Sequence, residues 1–112
     1  MLSNAGAVVT FALGLLGLFA PRRAADLVEL SARTHPGQSE FRATYGGLFI
    51  GMGLVPLATQ AEAAFVAVGA AWIGAALGRV VSLALDRTLS LRNWLAVGFE
   101  GGIGLLCLCA LL

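Results

Sequence analysis

The sequence predicts an all-α fold: a membrane four-helix bundle running up-down-up-down, with a short interfacial amphipathic helix between helices one and two. Three observations carry this. Apolar residues (AVILMFWYC) make up 59% of the 112, glycine contributes 15 more, and only 12% are charged, with a mean hydropathy of +0.91. Soluble domains hold about 25% charged residues, so this chain could not cover a water-facing surface. Charge-free runs close to the length of a bilayer span recur along the chain. Two of the connections between those runs are also very short, which makes consecutive helices antiparallel neighbours. The length fits one domain, residues 1–112. Disorder is excluded by the hydrophobicity. With a net charge of +1 and no lysine, a nucleic-acid partner is excluded as well.

Helix one is expected near 3–20, inside the 21 uncharged residues from Met1 to Pro21. A hydrocarbon core about 30 Å thick takes roughly 20 helical residues. The start, MLSNAGAVV, has no basic side chain, and the arginines come after the apolar stretch. That order argues for a retained span rather than a cleaved signal. Pro21 suits the first turn of a new helix. Beyond it, Ala24, Leu27, Val28 and Ser31 share one face, while Arg22, Arg23, Asp26, Glu29 and Arg33 take the other. This pattern predicts the interfacial helix over 21–33. Thr34-His35-Pro36-Gly37 reads as its break, and Ser39 as the N-cap of helix two.

Helix two is expected over 42–60, helix three over 62–85 and helix four over 92–112, from the remaining apolar runs. The tight turn at Gln60–Glu62 makes helices two and three an antiparallel hairpin. Pro56 removes the usual donor to the Met52 carbonyl, and a bend is expected there. Arg22, Arg23, Arg33, Arg42, Arg87 and Arg92 all fall on one side of such a bundle. The positive-inside rule then puts both termini on the non-cytoplasmic side. Trp94 suits an interfacial anchor, and Trp72 a packing position. Small-xxx-small pairs at Gly47/Gly51, Gly74/Gly78 and Gly98/Gly102 are expected to pack helices within the chain, with contacts between copies as the other reading.

Two charges fall where none should. Arg79 lies seven residues before Asp86, and Glu100 eight after Arg92. At about 1.5 Å per residue, both sit roughly 10–12 Å in from the same edge, on consecutive antiparallel helices. An unpaired charge at that depth costs about 2.5–3.5 kcal/mol on insertion scales, so an Arg79–Glu100 ion pair is expected. Arg42, Tyr45 and Ser82 reach the same level, and Arg42, Tyr45, Arg79, Ser82 and Glu100 make a candidate polar cluster opening toward the cytoplasm. Its functional reading is a binding site or proton-linked path. Its structural reading is a network that sets helix register.

Other chemistry is thinly represented. Cys107 and Cys109, two apart on a helix, diverge and read as core thiols. His35 stands alone, so no metal site is expected. No phosphate loop, dinucleotide fingerprint or hydrolase elbow occurs, so neither catalytic residues nor a cofactor are assigned.

EFRATYGGLFIGMGL (40–54), GRVVSL (78–83) and the single glutamate of the final helix together resemble domain-of-unknown-function family 4345. Its pattern maps onto Glu40, Arg42, Tyr45, Gly46, Gly47, Arg79, Ser82 and Glu100, from Pro21 onward, and adds Gly46 to the helix-packing glycines. The resemblance implies four helices in a bacterial inner membrane and no assigned activity. Besides a lipid- or quinone-modifying enzyme, for which no nucleophile or cofactor motif is visible, two functions remain open. One is a non-enzymatic membrane module, with the bilayer, a second copy or a larger membrane complex as partner. The other is a small carrier for an anionic or lipid-like substrate, using the polar cluster. Small multidrug exporters have a similar size, but their membrane glutamate is in helix one, where this chain has no ionisable side chain.

Overall fold

The computed structural model describes residues 1–31, 33–87 and 89–112, and those residues form helices without strands. The order is α1 (Leu2–Phe19), α2 (Pro21–Leu27), α3 (His35–Phe41), a π-helical turn (Arg42–Gly47), α4 (Leu48–Thr59), α5 (Glu62–Leu85) and α6 (Leu91–Leu108), with a 3₁₀ turn at Cys109–Leu111. Three helices are long and apolar enough to cross a membrane: Leu2–Phe19, Glu62–Leu85 and Leu91–Leu111. The stretch His35–Thr59 is a further helical rod, subdivided by the π turn.

Proline sets the first boundary. The residue before a proline is pushed out of the α region, and Ala20 (φ −131°, ψ 62°) ends α1 directly before Pro21. α2 is shorter than the expected 21–33. Glu29 adopts a left-handed conformation (φ 57°), and the Leu30 N–H returns to the Ala25 carbonyl at 2.8 Å, a Schellman closure that stops the helix. The next helix begins at His35, not at 42. Thr34 is its cap, accepting from the Gly37 N–H at 3.0 Å, so Ser39 lies inside the helix. Pro36 occupies the first turn, where its missing N–H is not needed, so it starts the helix instead of breaking the chain. α4 runs on through the fully buried Pro56 and closes at Gln60 (φ 52°). The Gln60 side chain donates to Asn4 Oδ1 at 3.0 Å, tying the end of α4 to the start of α1. Ser90 caps α6 by accepting from the Asn93 N–H.

The helices form a flat array, 39 × 31 × 16 Å. α1 is the middle member, packed on α4 along one side and on α6 along the other, while α5 packs chiefly on α6. The expected α4–α5 hairpin exists as a connection, but its two arms touch only lightly. α1 can take the middle because its buried positions are small: Ser3, Gly6, Ala7, Thr10, Gly14 and Gly17. Close backbone approach between apolar helices needs such residues. A Cβ on Gly14 would stand 2.5 Å from the Ile50 nitrogen, and one on Gly53 2.5 Å from the Phe11 nitrogen. Across α5 and α6, Gly69 and Gly104 face each other's backbone.

The expected packing glycines lie elsewhere, Gly46 excepted, whose Cβ would stand 2.8 Å from the Leu18 nitrogen. Gly51, Gly74, Gly78, Gly98 and Gly102 have nothing within 4 Å of an added Cβ, and Gly47 only the Arg42 carbonyl at 4.0 Å. Their spacing makes a small face, but rotation about the helix axis turns that face outward.

Trp72 holds α5 to the middle helix. Its indole N–H donates to Thr10 Oγ1 at 2.9 Å, and the same hydroxyl donates to the Gly6 carbonyl at 2.8 Å. Trp72→Phe is expected to lower stability by about 1 kcal/mol, the net worth of one buried hydrogen bond. Unfolding in mixed detergent micelles measures it. Trp94→Phe is the control: with Trp94 51% exposed, a change within about 0.5 kcal/mol is expected.

Candidate functional site

Arg79 on α5 and Glu100 on α6 form a bidentate pair, Nε to Oε2 at 3.0 Å and Nη2 to Oε1 at 2.6 Å. Two parallel charge-assisted bonds fix both side chains in one plane. Asn93, two turns before Glu100 on α6, accepts from Arg79 Nη1 at 2.9 Å. Partial burial makes the geometry count: side-chain exposure is 28% for Arg79 and 12% for Glu100.

The other members of the expected cluster are distributed differently. Tyr45 stacks on Phe41 (centroids 4.4 Å apart), contacts Phe49, and through Phe49 reaches the edge of Trp72 at 5.3 Å. Ser82 donates to Asp86 Oδ2 at 2.7 Å, one turn further along α5. Arg42 leaves the cluster. Its guanidinium donates to the Leu18 carbonyl at the end of α1, where a cation complements the helix dipole. The π turn explains this correction. Residues 42 and 45 would share a face on an α-helix, but the wider turn separates their directions.

Sequence reasoning missed a second ion pair. Arg92, at the start of α6, meets Glu29 Oε1 at 3.2 Å and donates to the carbonyls of Asp26 (2.6 Å) and Leu27 (2.9 Å). It thereby caps the C-terminal end of α2. More than sixty residues separate these partners, and no local pattern announces them. Asn93, by contrast, is legible in the sequence, on the Glu100 side two turns earlier.

Between the diverging arms α4 and α5 lies a groove of about 850 Å³. Leu13 and Leu16 of α1, Leu48, Phe49 and Met52 of α4 and Trp72 of α5 supply apolar walls, and α2 stands at one end. The Arg79–Glu100 and Arg92–Glu29 pairs also line it, with Tyr45, Ser82 and Asn93. An apolar cleft with a few convergent polar groups is the usual form of a small-molecule site, and about 300–1,000 Å³ is the usual size. Among the described residues no group of three or more His, Cys, Asp or Glu is placed to hold a metal. Cys107 is buried and Cys109 partly so, and both are free thiols.

No curated protein and no solved structure matches the chain. A family model described as "Domain of unknown function (DUF4345)" matches residues 2–111, taking in α1 as well as the stretch from Pro21 onward. The EFRATYGG rod, the Arg79–Glu100 pair and the groove they border thus belong to a member of the DUF4345 family.

Proposed function

We propose that this chain is a four-span protein of a bacterial inner membrane, with both termini on the non-cytoplasmic side. In this reading it is a non-enzymatic module that holds a lipid-like amphiphile in the groove between α4 and α5. The groove beside Arg79 carries the proposal, since an opening of about 850 Å³ joins apolar walls to the two ion pairs. Apolar walls suit an alkyl or isoprenoid chain, and the polar groups at one level suit its head. The Arg79–Glu100 pair holds α5 on α6 and forms one rim, so binding and structure share the same residues.

Native mass spectrometry of the protein extracted with its own lipids tests this. One tightly retained amphiphile is expected on the unmodified chain. Ala75, a small groove residue on α5, offers a way to fill the space. Ala75→Phe is expected to lose that adduct while leaving the fold intact. Equal retention by both proteins would show that the lipid sits elsewhere. The orientation has its own check. A single cysteine in the 60–62 turn should label from the non-cytoplasmic side and one at Arg23 from the cytoplasmic side, in a background lacking Cys107 and Cys109.

The open glycines Gly74, Gly78, Gly98 and Gly102 favour a second reading, in which the chain is an accessory subunit or self-associates. Crosslinking in native membranes that recovers a fixed partner through α5 and α6 supports it.

A further inference from the structure

Among the described residues four charged side chains line the groove, Glu29, Arg79, Arg92 and Glu100, and they form two complete pairs. Their charge sums to zero. The pairing also leaves a defined set of donors. A guanidinium has five N–H groups. In Arg79 two go to the Glu100 carboxylate and one to Asn93, which leaves two without a partner among the described residues. Tyr45 brings a phenol to the same groove.

We propose that the groove selects an amphiphile with an uncharged, oxygen-bearing head, one that accepts hydrogen bonds through a carbonyl or hydroxyl oxygen, over an anionic one. The inference rests on the reading of the groove as an amphiphile site and assigns the class of head it takes. A neutral carbonyl accepts from the spare Arg79 donors without disturbing the pair. A phosphate or carboxylate head would have to displace Glu100 from its two bonds or lie beside it as a like charge. Either alternative weakens binding in a partly desolvated wall, where electrostatic terms are large. Arg92 offers no net positive charge either, because Glu29 pairs with it and an anion there would again lie beside a carboxylate as a like charge. Specificity therefore comes from repulsion of the wrong head as much as from attraction of the right one.

Trp72 lines the groove and reports on its occupant. The full chain carrying Trp94→Phe, so that Trp72 is the single indole fluorophore, is reconstituted in phosphatidylcholine vesicles. These contain equal mole fractions of either a dibrominated diacylglycerol or a phosphatidic acid with the same brominated chains. Bromine quenches indole on contact, so quenching above that of brominated phosphatidylcholine reads occupancy. Diacylglycerol is expected to quench at least about threefold more effectively than phosphatidic acid. Glu100→Gln, which uncovers the Arg79 charge, is expected to reverse the order. If phosphatidic acid quenches as well as or better than diacylglycerol with Glu100 in place, the head-group inference is overturned while the groove remains a lipid site. An unchanged diacylglycerol preference in folded Glu100→Gln overturns it too, since selection then does not come from the compensated charge. If neither lipid quenches above the phosphatidylcholine level, the groove reading itself falls, and the inference with it. The comparison at native Glu100 decides even if the glutamine variant does not fold.

Discussion

Arg79→Leu is expected to destabilise the protein by about 3–5 kcal/mol, the usual cost of removing one partner from a buried ion pair. The loss comes mostly from the group left behind. Glu100 is only 12% exposed and would be left in a wall where no other cation pairs with it among the described residues. Asn93 would lose its Arg79 donor at the same time. Glu100→Leu leaves the guanidinium uncompensated and is expected to cost a similar amount. Replacing both by hydrophobic residues of like volume should cost far less than the sum, because no charge is then stranded. Exchange, Arg79→Glu with Glu100→Arg, should recover part of the loss. Its recovery is incomplete because the longer side chain then starts from α6, and the bidentate geometry and the Asn93 bond are not both reproduced. Unfolding in mixed detergent micelles gives the four free energies of the cycle. Additivity of the two leucine variants would show that the pair contributes no coupling to the fold.

Gly17→Val is expected to be at least as damaging, and for a steric reason. A Cβ there would overlap the carbonyl group of Tyr45, which is backbone and cannot rotate away. Gly53→Val meets the Phe11 nitrogen and the Ala7 carbonyl in the same way. Inserting atoms into a tightly packed contact commonly costs about 1–3 kcal/mol, and more where backbone must separate. Since α1 is the middle helix, parting it from α4 also opens its contacts with the π turn, including the Arg42–Leu18 bond. A loss of folded protein during extraction is the expected result for both variants. Alanine at Gly74, Gly78, Gly98 or Gly102 is the matched control, expected to lie within about 0.5 kcal/mol of the parent in a monomeric micelle. If those alanines disrupt association in native membranes and leave the monomer unchanged, the outward glycines serve a contact between chains.

The contrast between Arg79 and Gly74 shows how far the sequence could be read. Depth along a helix is one-dimensional. Counting residues from a charged edge places Arg79 and Glu100 at one level, and in the structure their charged groups lie 2.6 Å apart. Facing is different. Gly74 and Gly78 form the expected small pair, yet the helix interface is made by Gly69 against Gly104. Periodicity marks a face as small without saying which neighbour it meets. Local irregularity was equally hidden. Arg42 and Tyr45 satisfy the i, i+3 rule, and the π turn that undoes it depends on how residues 42–47 pass the end of α1. Pro36 was ambiguous because the same residue breaks a helix interior and opens a helix start.

Composition and charge placement alone determined that this chain is helical and apolar and that two ionisable groups lie deep in its helices. Those properties come from local preference and from counting along one axis. The tertiary structure decided that α1 lies in the middle, that α4 and α5 diverge to leave a groove, and that Arg92 closes a second pair across the chain. Each depends on the rotation and order of whole helices. That arrangement brings helix backbones close at Gly14, Gly17, Gly53, Gly69 and Gly104 together, and no single stretch of sequence contains it.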